Sequence, residues 1–99
     1  MPRTISYEED LRKTLKNRRE AEAYLNAALE DGDPRVFLLA LRQVAESRGG
    51  VGKAAAGSRL NRESLYRMLS KRGNPSLKSL TALLSTLGFR LAVESERAA

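Results

Sequence analysis

The stretch "SRLNRESLYRMLSKRGNPSL", Ser58 to Leu77, sets Arg59, Arg62, Tyr66 and Arg67 on and just before one short helix. Asn61 is a suitable N-cap, because its side-chain oxygen can accept from first-turn amides. Leu65, Met68 and Leu69 recur at helical spacing and predict the buried side. Arg62, Glu63, Tyr66, Arg67 and Ser70 are then left facing outward. These residue types suit the edges and backbone of nucleic acid. Arginine can pair bidentately with guanine O6 and N7, and the Glu63 carboxylate can accept from cytosine N4. Tyr66, Lys71, Arg72 and Lys53 suit phosphate oxygens, contacts that fix orientation and make affinity salt-dependent. Ser64 can bond a phosphate or help cap its own helix. A solvated helix face would carry charge too, but it would not also need the cap, the turn and the apolar spacing to agree.

The elements that must position these residues follow from the flanks. A short alanine-rich helix is predicted over 51–57, and only about four residues separate it from the helix after Asn61. Ala55 stands where two helices must cross closely, with Leu60 and Leu65 closing the gap beneath. This is the helix-turn-helix arrangement, whose second helix enters the DNA major groove.

Charge points the same way. Residues 1–46 carry eight basic and nine acidic side chains, and residues 47–99 carry ten and three, within a chain of net charge +6. Glu63 is the sole acid between Ser47 and Arg90. A basic half of this kind suits a polyanion partner; a merely solubilising surface is the bland alternative.

Several chemistries are disfavoured. There is no cysteine and no histidine, which removes disulfides, most zinc sites and every His-dependent triad. No metal or cofactor is expected. Gly52-Lys53 hints at a phosphate loop. That motif needs a glycine where Ser47 stands, a Ser or Thr where Ala54 stands, and a preceding strand. The carboxylates Glu8, Glu9, Glu30, Asp31 and Asp33 lie at helix ends, where capping and the helix dipole account for Glu8 and Glu9. No nucleophile–base pair is present, so the chain is not expected to be an enzyme. The N-terminus "MPRTISYEEDLRK" lacks the apolar run of a signal peptide, and no membrane-spanning run occurs. With no cysteine, the expectation is a cytoplasmic protein.

The rest of the chain reads as helices. Ser6 and Glu9 fit a capping box ahead of the stripe Tyr7, Leu11, Leu15. A second helix follows Asn17 with Ala21, Tyr24, Leu25, Ala28 and Leu29, and ends at Gly32. Asp33-Pro34 opens a third, with Val36, Phe37, Ala40, Leu41, Val44 and Ala45. The last starts near Ser76 and carries Leu77, Leu80, Leu83, Leu84 and Leu87. Tyr7, Tyr24 and Phe37 look like core. In "FRLAVES", Phe89, Leu91 and Val93 alternate against Arg90, Ala92 and Glu94, which is strand periodicity. A lone strand has nothing to pair with in its own chain, so Phe89, Leu91 and Val93 are expected at a dimer contact; a frayed tail capping the core is the alternative. The expectation is thus an all-α fold of five to six helices with a helix-turn-helix and a short C-terminal β-strand. It forms a single domain over 1–99: N-terminal helices over 1–48, the helix-turn-helix core over 49–88 and the strand over 89–95.

"NAALEDGDPRVFLLALRQVAESRGG" followed by "LNRESLYRMLSKRGNPSLKSLTALLSTLGFRLAV" resembles the HigA-type addiction-module antidote proteins, antitoxins with a Cro/CI-type (XRE-like) helix-turn-helix. The resemblance is closest over residues 20–93. It implies a dimer that neutralises a RelE/ParE-like toxin and represses the shared operon. It also implies recognition-helix positions at Arg62, Glu63, Ser64, Tyr66 and Arg67. This chain departs from the pattern in having Gly52 and Lys53 where Thr or Ser precedes Gln, and Arg59 where the turn usually has glycine. A non-glycine residue there carries strain of about 1 kcal/mol. Gly52 and Gly57 also weaken the short helix by up to about 1 kcal/mol each.

Two other readings stay open. One is a protein-binding toxin neutraliser that does not bind DNA. The other is a phage-type regulator without a toxin, against which a toxin-like reading frame beside the gene would count. An RNA-binding role is weaker, since the chain has few aromatic residues to serve as stacking platforms. Because RelE-like toxins are typically basic, the acidic residues Glu8, Glu9, Asp10, Glu20, Glu22, Glu30 and Asp31 are the expected toxin-docking surface.

Overall fold

The computed structural model describes residues 6–96. Six helices occur among them: α1 (Tyr7–Thr14), α2 (Arg18–Asp31), α3 (Pro34–Ser47), α4 (Val51–Ser58), α5 (Arg62–Met68) and α6 (Leu77–Thr86). None is long and apolar enough to cross a membrane.

Local chemistry accounts for most helix starts. The capping box of Ser6 and Glu9 is present, and the side chains of Asn17, Asp33, Asn61 and Ser76 accept first-turn amides of α2, α3, α5 and α6. Pro34 takes the first position of α3, where its missing N–H removes no bond.

The helices pack through one continuous apolar cluster. Leu15, Leu41, Val44, Leu65 and Leu83 lie at its centre, almost wholly removed from water. α3 is the hub: it contacts α1, α2 and α4, while α4 in turn packs on α5 and α6. Two polar ties fix the hub. The Tyr24 hydroxyl donates to Gln43 Oε1 at 2.5 Å, joining α2 to α3. Burial, with Tyr7 nearby, pushes the Tyr24 phenol above its ordinary pKa, although the Gln43 bond opposes this. The buried Ser47 hydroxyl reaches the carbonyls of Val44 (2.7 Å) and Leu15 (3.4 Å), anchoring the link between α1 and α2.

Three expectations need correction. Tyr7 is 73% exposed rather than core, because the first turn of α1 extends beyond the body of the protein. Leu29 on α2, Val36 on α3 and Leu77 at the first position of α6, all expected on apolar faces, are likewise exposed. The strand expected over 89–95 is absent among the described residues, where the chain after Gly88 has no regular structure. The reason is local. α6 ends in a Schellman turn: the Gly88 N–H donates to Ser85 O (3.0 Å) and the Phe89 N–H to Leu84 O (2.7 Å), with Gly88 at φ 93°. The Phe89 ring packs back against the core. Its amide is therefore committed to the helix end, and the residues beyond it find no ladder partner in their own chain.

Candidate nucleic-acid interface

The turn from α4 to α5 is three residues long, 59–61. Arg59 adopts the left-handed conformation at φ 62°, so the expected strain site is real. The Arg59 N–H donates to Ala56 O (3.4 Å) and the Leu60 N–H to Ala55 O (3.0 Å), which closes the end of α4. Leu60 packs partly buried against the core, and Ala55 is buried where the helices meet. Asn61 Oδ1 then accepts the amides of Glu63 (2.8 Å) and Ser64 (3.2 Å). Its oxygen thus caps the helix. The Ser64 hydroxyl is exposed and makes no hydrogen bond among the described residues.

Leu65, Met68 and Leu69 are buried, which fixes the rotation of α5. Arg62, Glu63, Ser64, Tyr66 and Arg67 are all exposed along the opposite side. The Arg62 guanidinium lies 5.8 Å from the centre of the Tyr66 ring. It also lies 3.8 Å from the point where a β-carbon on Gly52 would stand. That spacing is ordinary van der Waals contact, so an alanine at position 52 would also fit beside the arginine. Lys53 is exposed at the start of α4, its stem folded over Gly49. α4 opens at Gly50 with no side-chain cap, so its first amides and dipole lie beside the Lys53 and Arg62 cations, an arrangement that favours anions. Beyond α5, the Ser70 hydroxyl donates to Arg67 O (2.7 Å) and accepts the Arg72 N–H (3.3 Å). That turn carries Lys71 and Arg72, both exposed.

One residue of this face was missed by the sequence reading. Arg42, on α3, lies over the Tyr66 ring from the neighbouring helix, 6.0 Å from its centre, and its Nε donates to Glu46 Oε2 at 3.4 Å. Nothing in the local pattern of α3 signals this, because only the packing of α3 near α5 brings the two residues together.

A family model described as "Probable addiction module antidote protein" matches residues 6–95. The chain belongs to that family. A Haemophilus influenzae protein described only as "Uncharacterized protein" is 29% identical over 88 residues, covering 89% of this chain and 90% of its own length. No solved structure matches the chain.

Elsewhere on this antidote-family chain, the acidic residues Glu8, Glu9, Asp10, Glu20, Glu22, Glu30 and Asp31 are all exposed on α1 and α2. Glu9 is partly committed to its capping box, and Asp31 accepts the Asp33 N–H at 3.3 Å. The residues expected at a dimer contact do not behave alike. Phe89 is half-buried, with the Arg48 guanidinium 5.5 Å from its ring centre, whereas Leu91 is 39% and Val93 99% exposed.

Proposed function

We propose that this antidote-family protein is a DNA-binding antitoxin that works by binding alone, without catalysis. It neutralises a RelE/ParE-like toxin and, as a homodimer, represses its own operon. The observation that supports the DNA part is the outward face of α5. Arg62, Glu63, Tyr66 and Arg67 are exposed together while Leu65, Met68 and Leu69 hold the helix down. α4, the turn and α5 then act as a helix-turn-helix, with α5 entering the major groove. Arg62, Glu63 and Arg67 read base edges, and Lys53, Lys71, Arg72 and Tyr66 hold phosphates. The toxin part rests on family membership and on the acidic face of α1 and α2.

The test is binding of the protein to its own promoter fragment and to a scrambled fragment across a salt series. A preference of about a thousandfold, with affinity falling steeply as salt rises, is the expected result. Equal and weak binding to both fragments, or full function after Arg62→Ala with Arg67→Ala, would leave a toxin neutraliser without DNA binding. That second reading is favoured by the missing side-chain cap at the start of α4 and the strained Arg59 at its end. Reversing charge at Glu20 and Glu22 is expected to weaken the toxin complex, and unchanged affinity would remove this patch from the interface.

A further inference from the structure

The tail after α6 carries chemistry that the monomer leaves unused. From Arg90 to Glu96, no backbone N–H or C=O takes part in a hydrogen bond among the described residues. Val93 is almost wholly exposed. Beside the tail runs an open groove of about 720 Å³, lined by α2, the end of α6 and the tail itself, with Leu29 half-exposed on its wall.

We propose that a second copy of this chain pairs here, tail against antiparallel tail, with Ala92 on the two-fold axis. This deepens the dimeric reading above and rests on it. The register follows from side-chain chemistry. In an antiparallel pair, directly opposite residues share a face. A symmetric pairing centred between two residues would therefore set apolar side chains against polar ones. Centring on Ala92 places Arg90 opposite Glu94 of the second copy, twice by symmetry, and Leu91 opposite its Val93, also twice. Centring on Leu91 would lose the ion pairs, setting Arg90 against Ala92, and demand the Phe89 amide that Leu84 already holds. Centring on Val93 would keep an ion pair, Arg90 with Glu96, but set Leu91 against Ser95 and Ala92 against Glu94. Only the Ala92 register satisfies charge and apolar contacts together. A two-stranded ribbon is marginal by itself. The groove supplies the remaining apolar contact, with Leu29 and Leu91 beside the incoming Val93.

The chain has no cysteine, which makes a cysteine scan clean. Directly opposite Cα atoms in such a pair stand about 4.5–5.5 Å apart, within disulfide reach. Under mild oxidation the full-length Ala92→Cys variant is expected to cross-link roughly tenfold faster than Leu91→Cys or Val93→Cys. Arg90→Glu and Glu94→Arg are each expected to weaken the dimer several-fold by sedimentation equilibrium, and the double variant to restore it. Faster cross-linking at 91 or 93, a monomeric wild type, or a dimer indifferent to both charge reversals would overturn the proposal. Promoter binding is scored separately. Lost promoter preference with Ala92→Cys cross-linking intact would remove the DNA reading alone.

Discussion

The guanidiniums of Arg42 and Arg62 lie 6.0 and 5.8 Å from the centre of the Tyr66 ring, so one aromatic residue organises cations from two helices. A cation over an aromatic face contributes about 0.5–1 kcal/mol at exposed sites. On the DNA-binding reading, Arg42 then acts from outside the α4–α5 unit. Arg42→Gln is expected to weaken promoter and scrambled DNA alike and to reduce the salt slope by about 1. Fluorescence anisotropy at several salt concentrations measures both. An unchanged slope would leave Arg42 only its bond to Glu46.

Replacing Arg59 by glycine removes a β-carbon from a left-handed residue. We expect Arg59→Gly to stabilise the fold by about 1 kcal/mol, read as a higher urea midpoint at unchanged m-value. A lower midpoint would show that the arginine stem contributes more than the strain it causes.

Gly57 looks like a flaw in α4, yet a β-carbon there would stand 2.6 Å from the γ-methyl of Thr86 on α6. Thr86 is held in place by a bond from its hydroxyl to Ala82 O at 3.0 Å. Gly57→Ala is therefore expected to destabilise by about 1 kcal/mol, overpacking outweighing the gain in helix propensity. In a Thr86→Ser background, which keeps the hydroxyl and deletes the methyl, the same change is expected to stabilise. Thermal denaturation of the four proteins decides it.

The Asp33 carboxyl lies below its ordinary range. The Arg35 side chain bonds to it and the Arg35 amide donates to it at 2.9 Å. Because the folded state binds this proton less readily than the unfolded chain, the contribution is fully present above the ordinary carboxylate range. It fades as pH falls through that range and below it. Asp33→Asn keeps a good cap and removes the titration. It is expected to flatten the acid limb of a stability–pH curve and to change little at neutral pH.

Most of the helical architecture was legible in the sequence because its signals are local. Ser6, Asn17, Asp33, Asn61 and Ser76 cap helices by bonding amides two or three residues away. The outward set Arg62, Glu63, Ser64, Tyr66 and Arg67 followed from the buried set by rotation alone. What was illegible depends on distant packing. Tyr7 has the spacing of a core residue, but no neighbouring element covers the start of α1. Arg42 joins the basic face only through its approach to Tyr66. Phe89 has strand periodicity with Leu91 and Val93, yet a helix-end bond to Leu84 outcompetes it locally.

α4 begins at Gly50 without a side chain to close it, unlike the other five helices among the described residues. It is eight residues long, too short to persist in water by itself. Its order is therefore borrowed from α6, α5 and α3, on which it packs. Hydrogen exchange should find the amides of Gly52 and Lys53 among the fastest in any helix, opening without global unfolding. A peptide spanning 49–88 would keep α5 and α6 but lose α3, and with it Leu41 and Val44 of the shared core, so it is expected to be less stable than the full chain. The α4–α5 unit is thus not a detachable module, and any event that loosens the first three helices also loosens the basic face.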